Sequence, residues 1–211
     1  MPNGLVPVDQ SASKTFVDYG LVFRSLPPLR KRTTTTRTIE CTVDPRTLFV
    51  RNGYNVVINY ASDADLDGNL DEDDWDRCFN INVKSHLFLM HAARPYLAEA
   101  EGAFITTASL AGVKVSGSSL AYSVTKAARI HLVKGLAIAA GPKVRVDSVS
   151  PGLMLTDCGL QFPEEKQQAA RDRTPLERLA TVEDVAHQVL CFAGSRRVTG
   201  ANAVVDGGLS L

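Results

Sequence analysis

From residue 103 to the end, short β-prone runs alternate with longer segments of helical period, and that alternation restricts the fold more than any other feature. Ala103-Phe104-Ile105-Thr106-Thr107 reads as a strand rich in β-branched and aromatic residues. Tyr122 to Ala140 reads as a helix, with Ala128, Leu132, Leu136 and Ala139 on one face and Gly141-Pro142 closing it. Val144 to Val149 is a second strand, stopped by Pro151-Gly152. Val182 to Phe192 is an amphipathic helix after Thr181, and Ala201 to Val205 a last strand before Asp206-Gly207-Gly208. Strands alternating with helices form parallel sheets covered on both faces, so the chain is expected to be α/β.

Upstream, Glu72 to about Leu97 reads as one long helix, with Phe79, Val83, Leu87, Met90 and Ala93 at helical spacing. Gly53 to Tyr60 reads as a buried strand, and an acidic loop from Asp63 to Asp74 joins the two. Pro163 to Asp172 is polar and is expected to be a mobile helical flap. Composition changes at about residue 46. Residues 1–45 hold Pro27-Pro28, Arg30-Lys31-Arg32 and Thr33-Thr34-Thr35-Thr36, with little periodicity. They are expected to form a poorly ordered N-terminal segment before a domain spanning 46–211.

The 23 basic residues balance 23 acidic ones, and no long basic stripe exists, which argues against nucleic-acid binding. No apolar stretch reaches the roughly 18 residues of a membrane span. The first residues lack the basic start and apolar run of a secretory leader; Asp9 and Asp18 argue against a transit peptide. The cysteines at 41, 78, 158 and 191 form no CxxC pair and are read as reduced thiols of a cytoplasmic protein. His86 and His91 lie five apart, a poor chelating spacing, so no metal site is expected.

Tyr122 and Lys126 are four residues apart on the expected helix, which places them on one face about 6 Å apart along its axis. A free tyrosine ionises near pH ~10, and a neighbouring ammonium favours the phenolate. Such a tyrosine can give a proton to a carbonyl oxygen or take one from an alcohol. The spacing alone is common on helix surfaces, so its neighbours decide. Ser109 follows the strand ending at Thr107 and could hold a substrate oxygen, although a turn serine before Ala111-Gly112 is the simpler alternative. Asn82 places on the long helix an amide that helix propensity does not favour, although an ordinary helix-surface asparagine is the simpler alternative.

Taken in order, Asp74-Trp75-Asp76 leading to Asn82-Val83, Thr106-Thr107-Ala108-Ser109, Tyr122-Ser123-Val124-Thr125-Lys126, Arg145 to Gly152, and Thr199-Gly200 leading to Asp206-Gly207-Gly208 resemble the short-chain dehydrogenase/reductase family. The resemblance implies a Rossmann-like doubly wound parallel sheet and a nicotinamide-dependent oxidoreductase. By it, Tyr122 is the acid/base, Lys126 lowers its pKa and holds the nicotinamide ribose, and Ser109 orients the substrate carbonyl. Asn82 would keep a water linking Lys126 to solvent. Pro151, Gly152, Met154 and Thr156 would line the nicotinamide end of the cofactor, and Leu155 to about Arg173 the lid. A homodimer or homotetramer is implied through the two long helices.

The N-terminal half departs from the family. The glycine loop that admits a pyrophosphate to a helix N-terminus is missing, and Thr33 to Glu40 stands nearest its place, with Thr34, Thr38 and Glu40 at the glycine positions. Only Ala61 to Asp74 intervene where two strands are expected, so the sheet should be incomplete at its N-terminal half, with an unpaired edge. Altered splicing or an imperfect gene model would explain this, as would divergence of a real protein. Asn59-Tyr60-Ala61-Ser62 offers no acid for a ribose hydroxyl, which favours NADP, with NAD possible. The expected function is interconversion of a carbonyl and a secondary alcohol on a small organic molecule. The alternative is a relative deficient in cofactor binding that serves as an oligomer subunit, or a fragment.

Overall fold

The structure is a computed structural model of the chain and describes residues 20–23, 72–116, 119–156 and 159–211. The strand expected at Gly53 to Tyr60 and the threonine run at 33–36 lie outside these residues, as does the expected boundary near residue 46.

Among the described residues four strands form one sheet in the order β1-β2-β3-β4: β1 (Gly20–Phe23), β2 (Ala103–Thr107), β3 (Arg145–Pro151) and β4 (Asn202–Val205). β2, β3 and β4 are parallel, with Thr106 opposite Ser148 and Val149 opposite Ala203. β1 pairs antiparallel with β2, Gly20 opposite Thr106 and Phe23 opposite Ala103. The sequence reading assigned no strand before Gly53 and left the β2 edge unpaired. Instead the backbone of Gly20–Phe23 covers that edge, which satisfies donors and acceptors that would otherwise be exposed.

Helices cover both faces. β2 and β3 alternate sides, so Phe104 and Val146 meet Met90, Leu97, Val133 and Ala137 on one face. Ala103, Ile105 and Val149 meet Ala186, Val189, Phe192 and Ala193 on the other. Each fully buried large apolar side chain contributes roughly 1.5–3 kcal/mol. The helices of the first face are α1 (Glu72–Phe79), α2 (Ser85–Glu99) and α3 (Leu120–Ala140); α4 (Glu164–Asp172) belongs to the segment after β3, and α5 (Val182–Gly194) covers the second face.

The long helix expected from Glu72 to Leu97 is present but not regular. A π-helical turn, Asn80–Lys84, separates α1 from α2. Single π turns cluster at functional sites because they re-aim side chains inside an otherwise straight helix. Here the buried residues are Cys78, Asn82, His86, Met90 and Leu97. Leu87, one of the apolar positions read from the sequence, is exposed. α3 shows a similar offset. Its buried strip is Lys126, Arg129, Val133, Ala137 and Ala140, one residue beyond the half-buried Ala128, Leu132 and Leu136.

Candidate active site

Tyr122 owes its place to the start of α3. Ser119 caps the helix, its hydroxyl oxygen accepting the Tyr122 backbone N–H at 3.1 Å. Tyr122 is therefore in the first turn, half-buried, while Lys126 one turn later is buried to 3% exposure. The Lys126 Nζ stands 5.2 Å from the centroid of the Tyr122 ring. An ammonium at that separation is attracted by the π face of the ring.

Asn82 is carried to this helix by the π turn. Its Nδ2 donates to Thr125 Oγ1 at 3.2 Å, and Thr125 Oγ1 donates to the Tyr122 carbonyl at 2.8 Å. Asn82 is 1% exposed.

Ser109 follows β2 in extended conformation and caps a 3-10 turn, Leu110–Gly112, by accepting the Ala111 N–H at 3.1 Å. The loop docks on α3 through two contacts. Ser123 Oγ donates to Ala111 O at 2.6 Å, and a Cβ at Gly112 would fall 2.6 Å from the Lys126 carbonyl carbon. The structural alternative for Ser109, a turn serine, therefore holds together with its nearness to α3: the same hydroxyl makes the turn that seats the loop.

Pro151 ends β3 beside this loop, because Ala108 N donates to Val149 O at 2.7 Å across the adjacent strand. Gly152 is fixed by Asp206: an added Cβ would come within 2.8 Å of the Asp206 Cβ. The Asp206 carboxylate accepts the N–H groups of Gly208 and Ser210, each at 2.8 Å, and so shapes the closing turn. Met154 and Thr156 follow, half-buried. The segment beyond holds a 3-10 turn, Gly159–Gln161, and α4, which has no buried residue. Tyr122, Lys126, Asn82 and the Ser109 loop thus converge on one end of α3, and Pro151-Gly152 lies at the carboxyl end of the neighbouring strand. Carboxyl ends of parallel strands are where open α/β sheets hold ligands.

Sequence reasoning missed Arg129. It is fully buried, and its Nε donates to Asn82 O at 2.5 Å, its Nη2 to Asn82 Oδ1 at 3.1 Å, and its Nη1 to Thr107 O at 2.5 Å. The available signal was a second cation three residues after Lys126, on the same helix face.

Asp147 is also buried, one strand position from Ser148. Burial pushes its carboxyl above the ordinary value of 3.8, opposed by the Ala201 N–H that donates to Oδ1 and by the Arg145 charge. Among the described residues no cluster of metal-ligating side chains occurs, and no helix is long and apolar enough to cross a membrane.

Comparison with known families matches residues 53–210 to the one described as enoyl-(acyl carrier protein) reductase. The 3-oxoacyl-[acyl-carrier-protein] reductase of Thermotoga maritima is 32% identical over 142 residues, 65% of this chain and 58% of that protein. Tropinone reductase-like 3 of Erythroxylum coca is 33% identical over 159 residues, 72% of this chain and 61% of that one. The chain belongs to the short-chain dehydrogenase/reductase family. A solved member with bound NAD, the 3-oxoacyl-[acyl-carrier protein] reductase of Brucella melitensis, aligns at TM-score 0.60 and 30% identity, covering 68% of this chain and 54% of that one. The described residues thus form part of the family's Rossmann sheet, and the chain spans less than two thirds of the length of these relatives.

Proposed function

We propose that the chain is an NADP-preferring oxidoreductase that interconverts a carbonyl and a secondary alcohol on a small organic molecule. The observation that carries this reading is the buried Lys126 ammonium 5.2 Å from the Tyr122 ring. Tyr122 gives its proton to the carbonyl oxygen in reduction and takes it back in oxidation. Lys126 stabilises the phenolate between these steps. Ser109 holds the substrate oxygen, and Asn82 serves proton exchange beside Lys126.

The donor set of the described residues supports a place for the nicotinamide end of a dinucleotide: the Lys126 ammonium and Tyr122 phenol on one turn of helix, the Asn82 amide bonded to Thr125 between them, and Pro151 and Gly152 at the carboxyl end of the neighbouring strand; Met154 and Thr156, next in the chain, belong to the same reading by the family resemblance. A nicotinamide bound there would supply the hydride to the carbonyl carbon in reduction and accept it in oxidation. NADP rather than NAD is supported by Asn59 to Ser62, which carries no acid for the ribose hydroxyl. A homodimer or homotetramer in the cytoplasm is part of the same reading. Exposed Phe88 and Tyr96 on α2 and Leu120 and Ile138 on α3 give the two long helices apolar surface for it.

The test is NADPH oxidation against a panel of ketones, with Tyr122→Phe as control. Activity that survives the substitution sinks the assigned chemistry.

A second reading is favoured by Thr34, Thr38 and Glu40 at the positions where the family has glycines. In that reading the chain binds dinucleotide weakly and acts as a subunit beside an intact relative. Titration of NADPH fluorescence separates the two, because tight binding by the isolated chain counts against the subunit.

A further inference from the structure

The buried strip of α3 begins with two cations, Lys126 and Arg129, before it turns apolar at Val133 and Ala137. A buried guanidinium is costly unless its donors are satisfied. Arg129 spends its donors on three oxygens that belong to the two other elements of the candidate site. Asn82 O and Asn82 Oδ1 lie in the π turn, and Thr107 O ends the strand two residues before Ser109. Asn82 in turn donates to Thr125 Oγ1, which donates to the carbonyl of Tyr122. One side chain therefore ties the Asn82 turn and the Ser109 strand to the helix of Tyr122 and Lys126.

We propose that Arg129 is a positioning residue for the Tyr122 acid/base: its planar fork fixes Asn82 by both oxygens and holds a permanent cation one turn behind Lys126. This deepens the oxidoreductase reading and rests on it for the identity of the acid/base. Only a guanidinium has the rigid set of donors for this arrangement. A lysine at 129 keeps the charge but cannot grip both Asn82 oxygens and Thr107 O together.

The experiment compares the wild-type chain with Arg129→Gln and Arg129→Lys. Two quantities are read: steady-state kcat and KM with NADPH, and the ultraviolet phenolate band of Tyr122, isolated by subtracting the matching Tyr122→Phe protein. For folded Arg129→Gln we expect the phenolate band to develop at higher pH than in wild type. We expect kcat to fall by roughly ten- to a hundredfold, the scale of a small misplacement of reacting groups, with KM for NADPH within about twofold. Arg129→Lys should shift the band in the same direction but less, and recover part of kcat.

A wild-type phenolate band in folded Arg129→Gln overturns the proposal. If that variant does not fold, Arg129→Lys decides, and an unchanged band there overturns it equally. Absence of turnover in the wild-type chain sinks the oxidoreductase reading but leaves the band measurement intact. A shifted band would then still support the role of Arg129.

Discussion

Gly112 rests directly on the backbone of Lys126: a Cβ at residue 112 would lie 2.6 Å from the Lys126 carbonyl carbon and 2.7 Å from the Ala127 nitrogen. Those are backbone atoms of a helix, so neither side of the contact can move cheaply. Gly112→Ala should push the Ser109 loop off α3 and cost about 1–3 kcal/mol, the usual range for forced overpacking. Thermal unfolding would record this as a fall of several degrees in Tm, and an unchanged Tm would show that the loop accommodates the methyl.

Asp147 sets a pH dependence. Its folded carboxyl titrates above 3.8, chiefly through burial, so the folded state holds the proton longer than the unfolded state. Stability therefore falls as pH rises from 3.8 through the folded value. Asp147→Asn keeps an oxygen for the Ala201 N–H and removes the buried charge. We expect Tm of the variant to gain on wild type as pH rises from 4 to 7. A constant Tm difference over that range would contradict this.

The opposite sign holds at Thr181. The N–H and hydroxyl of Thr181 both reach Asp184 Oδ2 at 2.9 Å, and the Asp184 N–H returns a bond to Thr181 Oγ1 at 3.2 Å. These bonds hold the Asp184 carboxyl below 3.8, so its stabilisation is present above that value and is lost as pH falls through the folded one. Thr181→Ala keeps the N–H but loses the hydroxyl. A loss of about 1 kcal/mol is expected. That is roughly 2–4 °C in Tm for a domain of this size at neutral pH, less in acid.

Local pattern carried much of this fold. Ala103–Thr107 is a strand because four of its five residues are β-branched or aromatic, and the α5 boundary is legible because Thr181 and Asp184 form a capping box. Tyr122 and Lys126 were legible because a helix fixes their spacing. What sequence could not show depends on distant partners. The π turn at Asn82 is tied to Arg129, 47 residues away, and no periodicity anticipates it. The burial of Lys126 and Arg129, one residue off the apolar face, follows from where the sheet meets α3. β1 was missed because four residues paired antiparallel to β2 leave no period to read.

The role of Tyr122 as acid/base is tested most directly by NADPH-dependent ketone reduction by the wild-type chain beside folded Tyr122→Phe. We expect turnover by wild type and a loss of about a hundredfold or more in kcat for the variant, the usual contribution of a positioned proton donor. Equal turnover by the two proteins would contradict that role.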